Sequence, residues 1–278
     1  MAATGGGDLS VGSRGFDLEL RALGLTGLRV SPLGLGTVKF GRNQGVKYPR
    51  TFELPTDRAI LNLLEMAWDL GINLLDTAPA YGASEERLGR LLRQCRREWV
   101  IVTKVGEDFS AGVSRFDFSA AATRASVERS LRRLGVETLD AVLIHSNGDD
   151  LAILEQEAAL PVLRDLQQAG WVRAVGMSTK TVAGGLRAVE YCDVVMVTYN
   201  PRERADLPVI RAARDAGKGV LIKKALQSGH LDQSDADPVL AALRLIYGEP
   251  GVGSVVVGTL DPAHLRADAA AAEQALSA

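Results

Sequence analysis

Cysteine is scarce in this sequence, and its two occurrences are not arranged for metal binding or cross-linking. Cys95 and Cys192 lie in separate segments, without CxxC spacing and without a cluster of histidines. Zinc sites and disulfide frameworks need more ligands at short, regular intervals. The sequence therefore predicts no metal site and no disulfide, and two reduced thiols are typical of a cytoplasmic protein.

Long apolar runs and an excess of one charge are also missing. No apolar run approaches the ~18 residues that cross a bilayer. A net charge of −2 gives no general attraction to nucleic acid or to an anionic membrane. The first 13 residues are small, polar and glycine-rich, without the basic-then-apolar order of a secretory signal. We therefore expect a cytoplasmic protein with a flexible tail over residues 1–18 and with neither a membrane nor a nucleic acid as partner.

Eight short apolar runs alternate with longer amphipathic stretches. They are continuously apolar, which is typical of parallel strands buried on both faces. The predicted strands are Ser31–Leu35, Ile72–Leu75, Trp99–Thr103, Leu139–Ile144, Val172–Met177, Val194–Val197, Gly219–Ile222 and Val255–Val257. Eight strand–helix units with right-handed crossovers close into a barrel of about 250 residues. The sequence therefore predicts an α/β fold, a single (β/α)8 TIM barrel domain over residues 1–278.

Two further features support the barrel. The segment Leu20–Val30 reads as two short strands around a turn, and we expect this β-hairpin to cover the bottom of the barrel. The alternative, an open doubly wound sheet, would open its first helix with a GxGxxG motif, which this sequence lacks. Residues suited to begin or cap the helices are Thr56, Ser84, Ser119, Thr181, Asp206, Asp237 and Asp261.

Four side chains of different chemistry leave neighbouring strands at the same end. Asp76 and Tyr81 follow the second predicted strand, Lys104 follows the third and His145 follows the fourth. Each residue alone has an ordinary structural explanation, such as a helix cap, a solvated lysine, a packed tyrosine or a satisfied histidine. Because the carboxyl ends of the strands form the active site of such a barrel, the four together favour a catalytic function.

These groups suit proton transfer to a carbonyl oxygen. The phenol of Tyr81 can donate a proton, but its unperturbed pKa of about 10 is high for an acid near neutrality. One ammonium at contact distance supplies roughly the 4 kcal/mol that would lower this pKa by three units, and Lys104 is the candidate. We expect Asp76 to hold Lys104 in place and His145 to point a ring N–H at the substrate oxygen.

Longer strings of residues surround these four positions. They are Gly34–Thr37, Asp76–Ala78 with Tyr81–Gly82, Ser84–Gly89, Ser130–Leu134, Leu143–His145, Gly170–Ser178, Tyr199–Asn200 and Val257–Thr259. Together they resemble the aldo-keto reductase family over roughly Leu20 to Ala270. The resemblance implies an enzyme that reduces an aldehyde or ketone to an alcohol with hydride from a nicotinamide cofactor. It also implies that the four residues form the catalytic set, with Tyr81 as the general acid.

The same resemblance implies a dinucleotide site along the later strands. The implied contacts are Gly36, Thr37, Ser178, Thr179, Lys223, Ala225, Leu226, Ser228, Gly229, Gly258, Thr259, His264 and Asp268. Thr179 stands where the family usually has asparagine, and Met196 stands where it usually has glutamine. A threonine hydroxyl can still bond an amide, whereas Met196 suits core packing. Side chains alternate along a strand, so at most one of Lys223 and Lys224 should point inward.

NADPH is the expected cofactor, by a modest margin, and NADH is expected to be usable. The family commonly binds the extra phosphate of NADPH near the last strand, where basic side chains supply charge-assisted hydrogen bonds. Here Thr259 offers a hydroxyl, and His264 adds positive charge only when protonated. Asp268 takes the place of a usual asparagine.

Two other functions stay open at this point. A regulatory or binding subunit on the same scaffold would carry weak or vestigial activity, which the intact catalytic set argues against. An unrelated barrel enzyme with a Schiff-base lysine would want an apolar setting, which Lys104 lacks beside Asp76. The expected partner is a small carbonyl compound, and the segments expected to line its pocket are Gly41–Pro55, Glu107–Phe118 and Ser146–Asp150. No residue pattern specifies one substrate or an oligomeric state.

Overall fold

Eight parallel strands form a closed barrel in the computed structural model, which describes residues 18–46, 48, 51–95, 97–230 and 237–277. The strands are β3 (Leu33–Gly36), β4 (Leu74–Asp76), β5 (Val100–Val105), β8 (Leu139–His145), β9 (Val172–Ser178), β10 (Val194–Thr198), β11 (Gly219–Lys223) and β12 (Val252–Val257). Each pairs with the next along the chain, and β12 closes the ring by pairing with β3. The predicted (β/α)8 barrel is confirmed.

The strand ends differ slightly from the prediction, for local reasons. Ser31 is not part of β3, because its backbone N–H donates to Oδ1 of Asn73 and its hydroxyl donates to the Leu33 carbonyl. The last strand begins earlier than expected: Val252 and Ser254 pair with β11, and the register shifts at Gly253 between them.

A β-hairpin closes the amino-terminal end of the barrel, as predicted. Its strands, β1 (Arg21–Ala22) and β2 (Arg29–Val30), are antiparallel. Leu23 and Leu28 are buried in the barrel interior, and the Leu25 N–H donates to the Gly217 carbonyl at 2.9 Å. The predicted tail of residues 1–18 lies outside the described residues except for Leu18, which is buried in the core.

Helices follow the strands and cover the outside of the barrel. They are α1 (Val38–Gly41), α2 (Asp57–Asp69), α3 (Ser84–Cys95), α4 (Ala120–Leu134), α5 (Asp150–Glu155), α6 (Ala159–Gln168), α7 (Val182–Tyr191), α8 (Leu207–Asp215), α9 (Pro238–Tyr247) and α10 (Pro262–Leu276), with 3-10 turns at Pro79–Tyr81 and Gln227–Gly229. In the described part of the chain no helix is both long and apolar enough to cross a membrane.

Most of the predicted helix caps are present. The side chains of Thr56, Ser119, Thr181, Asp237 and Asp261 each accept a hydrogen bond from a backbone N–H in the first helical turn. Two others lie at helix starts as predicted but make no such hydrogen bond. Asp206 precedes α8, but its carboxylate accepts from the Thr198 N–H. Ser84 lies within α3, and its hydroxyl lies 2.8 Å from that of Thr37.

A second hairpin, which the sequence did not reveal, follows the third barrel strand. Its strands, β6 (Glu107–Ser110) and β7 (Val113–Phe116), are antiparallel. The two turn residues, Ala111 and Gly112, have φ of 50° and 80°, as a tight two-residue hairpin turn requires. This hairpin lies at the carboxyl ends of the barrel strands, beside the 3-10 turn that carries Tyr81.

Candidate active site

A trough of about 1500 Å³ opens at the carboxyl ends of the barrel strands. Asp76, Tyr81, Lys104 and His145 all line one part of it. The structure thus brings together the four side chains that the sequence singled out. Their strands are hydrogen-bonded neighbours, β4 with β5 and β5 with β8, which fixes these side chains relative to one another.

A buried ion pair forms the floor of this part of the trough. Nζ of Lys104 is 2.5 Å from Oδ1 of Asp76 and donates to the Thr77 carbonyl at 2.9 Å. The exposed fractions of the lysine and aspartate side chains are 2% and 6%. Closely paired charges with a further acceptor are the arrangement in which an ammonium survives burial. Lys104 is therefore held in one position by two acceptors.

The hydroxyl of Tyr81 donates to Oδ2 of Asp76 at 3.3 Å. Nζ of Lys104 lies 4.8 Å from the centre of the tyrosine ring. Burial and the negative charge of Asp76 raise the pKa of Tyr81 well above its ordinary value. The expectation that Lys104 lowers this pKa is therefore not met, because Asp76 neutralises the lysine and faces the phenol itself. Tyr81 keeps its proton at neutral pH and lies in the trough as a donor.

His145 lies beside Tyr81, with the two ring centres 6.3 Å apart and the rings nearly perpendicular. Its Nδ1 is 2.8 Å from Oε2 of Glu107 in the second hairpin. Burial lowers the pKa of His145, and the contact with Glu107 opposes that shift. The ring is therefore neutral near pH 7. Sequence reasoning missed Glu107, whose only signal was its place within a segment expected to line the pocket.

The trough continues past Ser178 and Thr179. Lys223 is the lysine that turns inward: its Nζ donates to Oγ of Ser178 at 2.8 Å and to the Thr179 carbonyl at 2.6 Å. Lys224 is exposed. Burial, with the neighbouring positive charge of Lys224, lowers the pKa of Lys223 to about 7. Met196 lies beneath this region, packed in the barrel interior.

One buried polar atom in this region is available to bind a ligand. The Thr179 hydroxyl is buried and has no hydrogen-bond partner among the described residues. Buried hydroxyls are normally paired, so an unpaired one in a trough wall indicates a missing polar partner. A carboxamide can supply that partner, and the residues present fit the nicotinamide end of a dinucleotide.

The far end of the trough lies at the last strand. Most of the residues implied for the cofactor line the trough: Gly36, Thr37, Ser178, Thr179, Lys223, Ala225, Leu226, Gly229, Gly258, Thr259, His264 and Asp268. The side chain of Ser228 lies outside the described residues. The Thr37 hydroxyl is used within the protein, donating to the Asp76 carbonyl at 2.9 Å.

Charge at this far end is mixed. His264 is exposed and its Nε2 lies 3.7 Å from a carboxylate oxygen of Asp261. Asp268 is buried in the trough wall, and burial raises its pKa to about 7. The Asp268 carboxyl is thus poorly suited to carry a negative charge there.

Lys39 on α1 and Tyr48 in the segment that follows add two residues that the sequence did not single out. Tyr48 lines the trough, and a Cβ on Gly258 would lie 3.4 Å from the Tyr48 hydroxyl. Nζ of Lys39 lies 4.2 Å from the centre of the Tyr48 ring. The Tyr48 hydroxyl therefore lies close to the end of the last barrel strand.

Comparison with known proteins agrees with this geometry. A model of the aldo/keto reductase family matches residues 32–239, and the chain belongs to that family. The structure superposes on a crystal structure from Pseudomonas aeruginosa assigned to the aldo-keto reductases, with a TM-score of 0.85 and 53% identity, covering 95% of this chain and 98% of that one.

Two curated relatives are dehydrogenases. Pyridoxine 4-dehydrogenase of Escherichia coli is 29% identical over 268 residues, which cover 89% of this chain and 91% of the relative. L-Galactose dehydrogenase of Arabidopsis thaliana is 36% identical over 168 residues, 58% of this chain and 48% of that protein, so the match spans about half of that relative. The protein is therefore an enzyme, an oxidoreductase of a family that uses nicotinamide cofactors.

Proposed function

We propose that the protein is an NADP(H)-dependent oxidoreductase that interconverts a small aldehyde or ketone and its alcohol, with Tyr81 as the general acid of carbonyl reduction. The observation that carries the proposal is the protonated Tyr81 hydroxyl, which lies in the trough and is bonded to Asp76 beside Lys104. Bound cofactor would supply the hydride.

Each residue of the catalytic part has a task in this reaction. Asp76 orients the Tyr81 hydroxyl and balances the charge of Lys104. When Tyr81 gives up its proton, the nearby ammonium of Lys104 stabilises the phenolate that forms. Lys104 therefore acts on the transition state more than on the resting pKa of Tyr81.

The cofactor would lie along the trough. Ser178, Thr179 and Lys223 would hold the nicotinamide end, where the unpaired Thr179 hydroxyl suits a carboxamide. The amino-terminal end of α10, with the Thr259 hydroxyl and His264, would hold the adenosine end, since backbone N–H groups at a helix start favour phosphate. The preference is for NADPH by a modest margin, because the exposed His264 adds positive charge only when it is protonated and Asp261 lies beside it.

The test is an absorbance assay with reduced cofactor and a panel of aldehydes and ketones, run with NADPH and with NADH. The variant that tests the general acid is Tyr81→Phe, which keeps the ring and removes the proton donor. We expect near-complete loss of reduction in this variant and little change in cofactor affinity, measured by equilibrium titration. A variant that keeps more than a tenth of wild-type turnover would show that Tyr81 is not the acid, and a clear preference for NADH would contradict the cofactor assignment.

A further inference from the structure

The ammonium of Lys223 has one unused hydrogen-bond donor in the trough. Its Nζ donates to Oγ of Ser178 at 2.8 Å and to the Thr179 carbonyl at 2.6 Å. An ammonium has three N–H donors, and the described residues provide this one with no third acceptor. The side chain lines the trough and is only partly buried, so the third donor is available to a bound molecule.

The charge of this ammonium is not cancelled by a carboxylate in contact with it, as far as the described residues show. Asp206 and Asp150 attract Lys223 only from a distance, and each accepts a backbone N–H instead. Burial lowers the pKa of Lys223 to about 7, and the positive charges of Lys224 and Lys104 act in the same direction. Lys223 therefore places a positive charge in the trough below pH 7 and loses it as the pH rises.

This charge lies beside the part of the trough that fits a carboxamide. Thr179 accepts from Lys223 through its carbonyl and also carries the unpaired hydroxyl. In a nicotinamide cofactor the carboxamide is attached to the ring that carries the hydride, so a carboxamide bound at Thr179 brings that ring close to Lys223. The ring is positively charged in the oxidised cofactor and neutral in the reduced one. Two positive charges close together in a partly buried site repel each other more strongly than in water.

We propose that the ammonium of Lys223 selects the reduced form of the cofactor over the oxidised form, because it places a positive charge where the oxidised ring would carry its own. This inference rests on the proposed function, which places the nicotinamide at Ser178 and Thr179. The adenosine and phosphate parts are identical in the two forms, so His264 and Asp268 act on both alike. The selected form is the one that donates hydride, so the charge favours loading for carbonyl reduction and release of the oxidised product.

The test compares the binding of NADH and NAD+ to the intact protein by calorimetric titration at pH 6 and at pH 9. The quantity that decides is the Kd of NAD+ divided by the Kd of NADH. We expect this ratio to be high at pH 6, where Lys223 is charged, and to fall several-fold at pH 9, where it is neutral. A ratio that stays constant or rises between these pH values would overturn the proposal.

Two substitutions at this position separate charge from shape. Lys223→Met keeps an unbranched side chain and removes the charge, so its ratio should be as low at pH 6 as the wild-type ratio is at pH 9. Lys223→Arg keeps a charge that does not titrate in this range, so its ratio should stay high at both pH values. A merely structural role would instead weaken the binding of NADH and NAD+ equally in both variants, and that result would contradict the proposal.

The matched control is Lys218→Met, which removes a lysine before the opposite end of the same strand and outside the trough lining. It should give the wild-type ratio at both pH values, and a change as large as that of Lys223→Met would show that net charge alone is the cause. The two proposals fail in different ways. If none of NADH, NAD+, NADPH and NADP+ binds, the proposed function fails together with this inference. If they bind and the ratio does not depend on Lys223, only this inference fails.

Discussion

The pair Lys104–Asp76 places two opposite charges out of contact with water. Removing one partner of such a pair leaves the other charge buried and uncompensated, which typically costs about 3–5 kcal/mol. We expect Lys104→Met to lower the free energy of unfolding by about that much, measured by denaturant titration. The double variant Lys104→Met/Asp76→Asn should recover most of the loss, because no lone charge remains. A double variant as unstable as the single one would show that packing, not charge, causes the effect.

Lys223 should make cofactor binding depend on pH. Its pKa of about 7 means that it is charged below pH 7 and loses this charge as the pH rises. The cofactor is an anion, so losing the attraction of one nearby positive charge should raise its Kd several-fold across that range. Calorimetric titration with NADH avoids the titrating extra phosphate of NADPH.

Two variants complete that experiment. Lys223→Met should give a Kd that is weak and independent of pH, since the titrating group is gone. Lys218→Met is the matched control, because Lys218 precedes the opposite end of the same strand and is not among the residues that line the trough. If the control flattens the pH dependence as much as Lys223→Met does, the inward lysine is not the group that titrates.

Asp268 should make stability fall with rising pH in the cofactor-free protein. Burial raises its pKa to about 7 in the folded state, from an ordinary value near 3.8. A raised folded-state pKa gives a contribution that is present at low pH and lost as the pH rises through 7. Asp268→Asn avoids this loss, so its melting temperature should exceed that of the wild type by several degrees at pH 8 and by less at pH 5. An equal difference at both pH values would point to packing instead.

Some residues of the site could be predicted from their position in the sequence, and others could not. Asp76, Lys104 and His145 were predictable, because barrel geometry sends every strand end to the same face. Glu107 was not, since its approach to His145 depends on one turn at Gly106. The resting pKa of Tyr81 was predicted in the wrong direction, because it depends on which neighbour the phenol faces.

At the scale of elements, the barrel strands were recoverable because burial on both faces leaves continuous apolar runs. The hairpin of β6 and β7 was not, since an exposed two-stranded ribbon has little apolar pattern and little stability of its own. The short helices α1 and α5 were not predicted from the sequence, for a related reason. Elements of one or two turns are fixed by tertiary contacts more than by sequence periodicity.

The packing of α3 on α4 depends on a glycine within a helix. A Cβ on Gly89 would lie 1.9 Å from the Arg133 carbonyl oxygen. Gly89→Ala should therefore destabilise the protein by about 1–3 kcal/mol, as overpacking typically does, although alanine favours a helix in isolation. The denaturation midpoint measures this. Gln94→Ala, at an exposed position of the same helix, should change it little, and an equal shift would argue against close helix contact as the cause.

At the scale of the whole molecule, the barrel makes a single site from distant parts of the chain. The trough draws on the first strand at Gly36, the fourth at His145 and the last helix at Asp268. Asp76, Lys104 and His145 lie on the barrel strands and Tyr81 lies on the 3-10 turn after β4, whereas the loops at this end differ in length. This division explains why the reaction class could be predicted from the sequence and the substrate could not.

The hairpin that closes the bottom of the barrel also affects how the chain folds during its synthesis. The Leu25 N–H bonds to Gly217, and Leu23 packs on Gly219, so this segment is synthesised before the strand that it contacts and waits for it. At about 5–20 residues per second, that wait is on the order of 10–40 s. During it Leu23 lacks its contact with Gly219, and a partly synthesised chain exposes apolar surface there that a chaperone can bind. The residues made early are thus among the last to be buried.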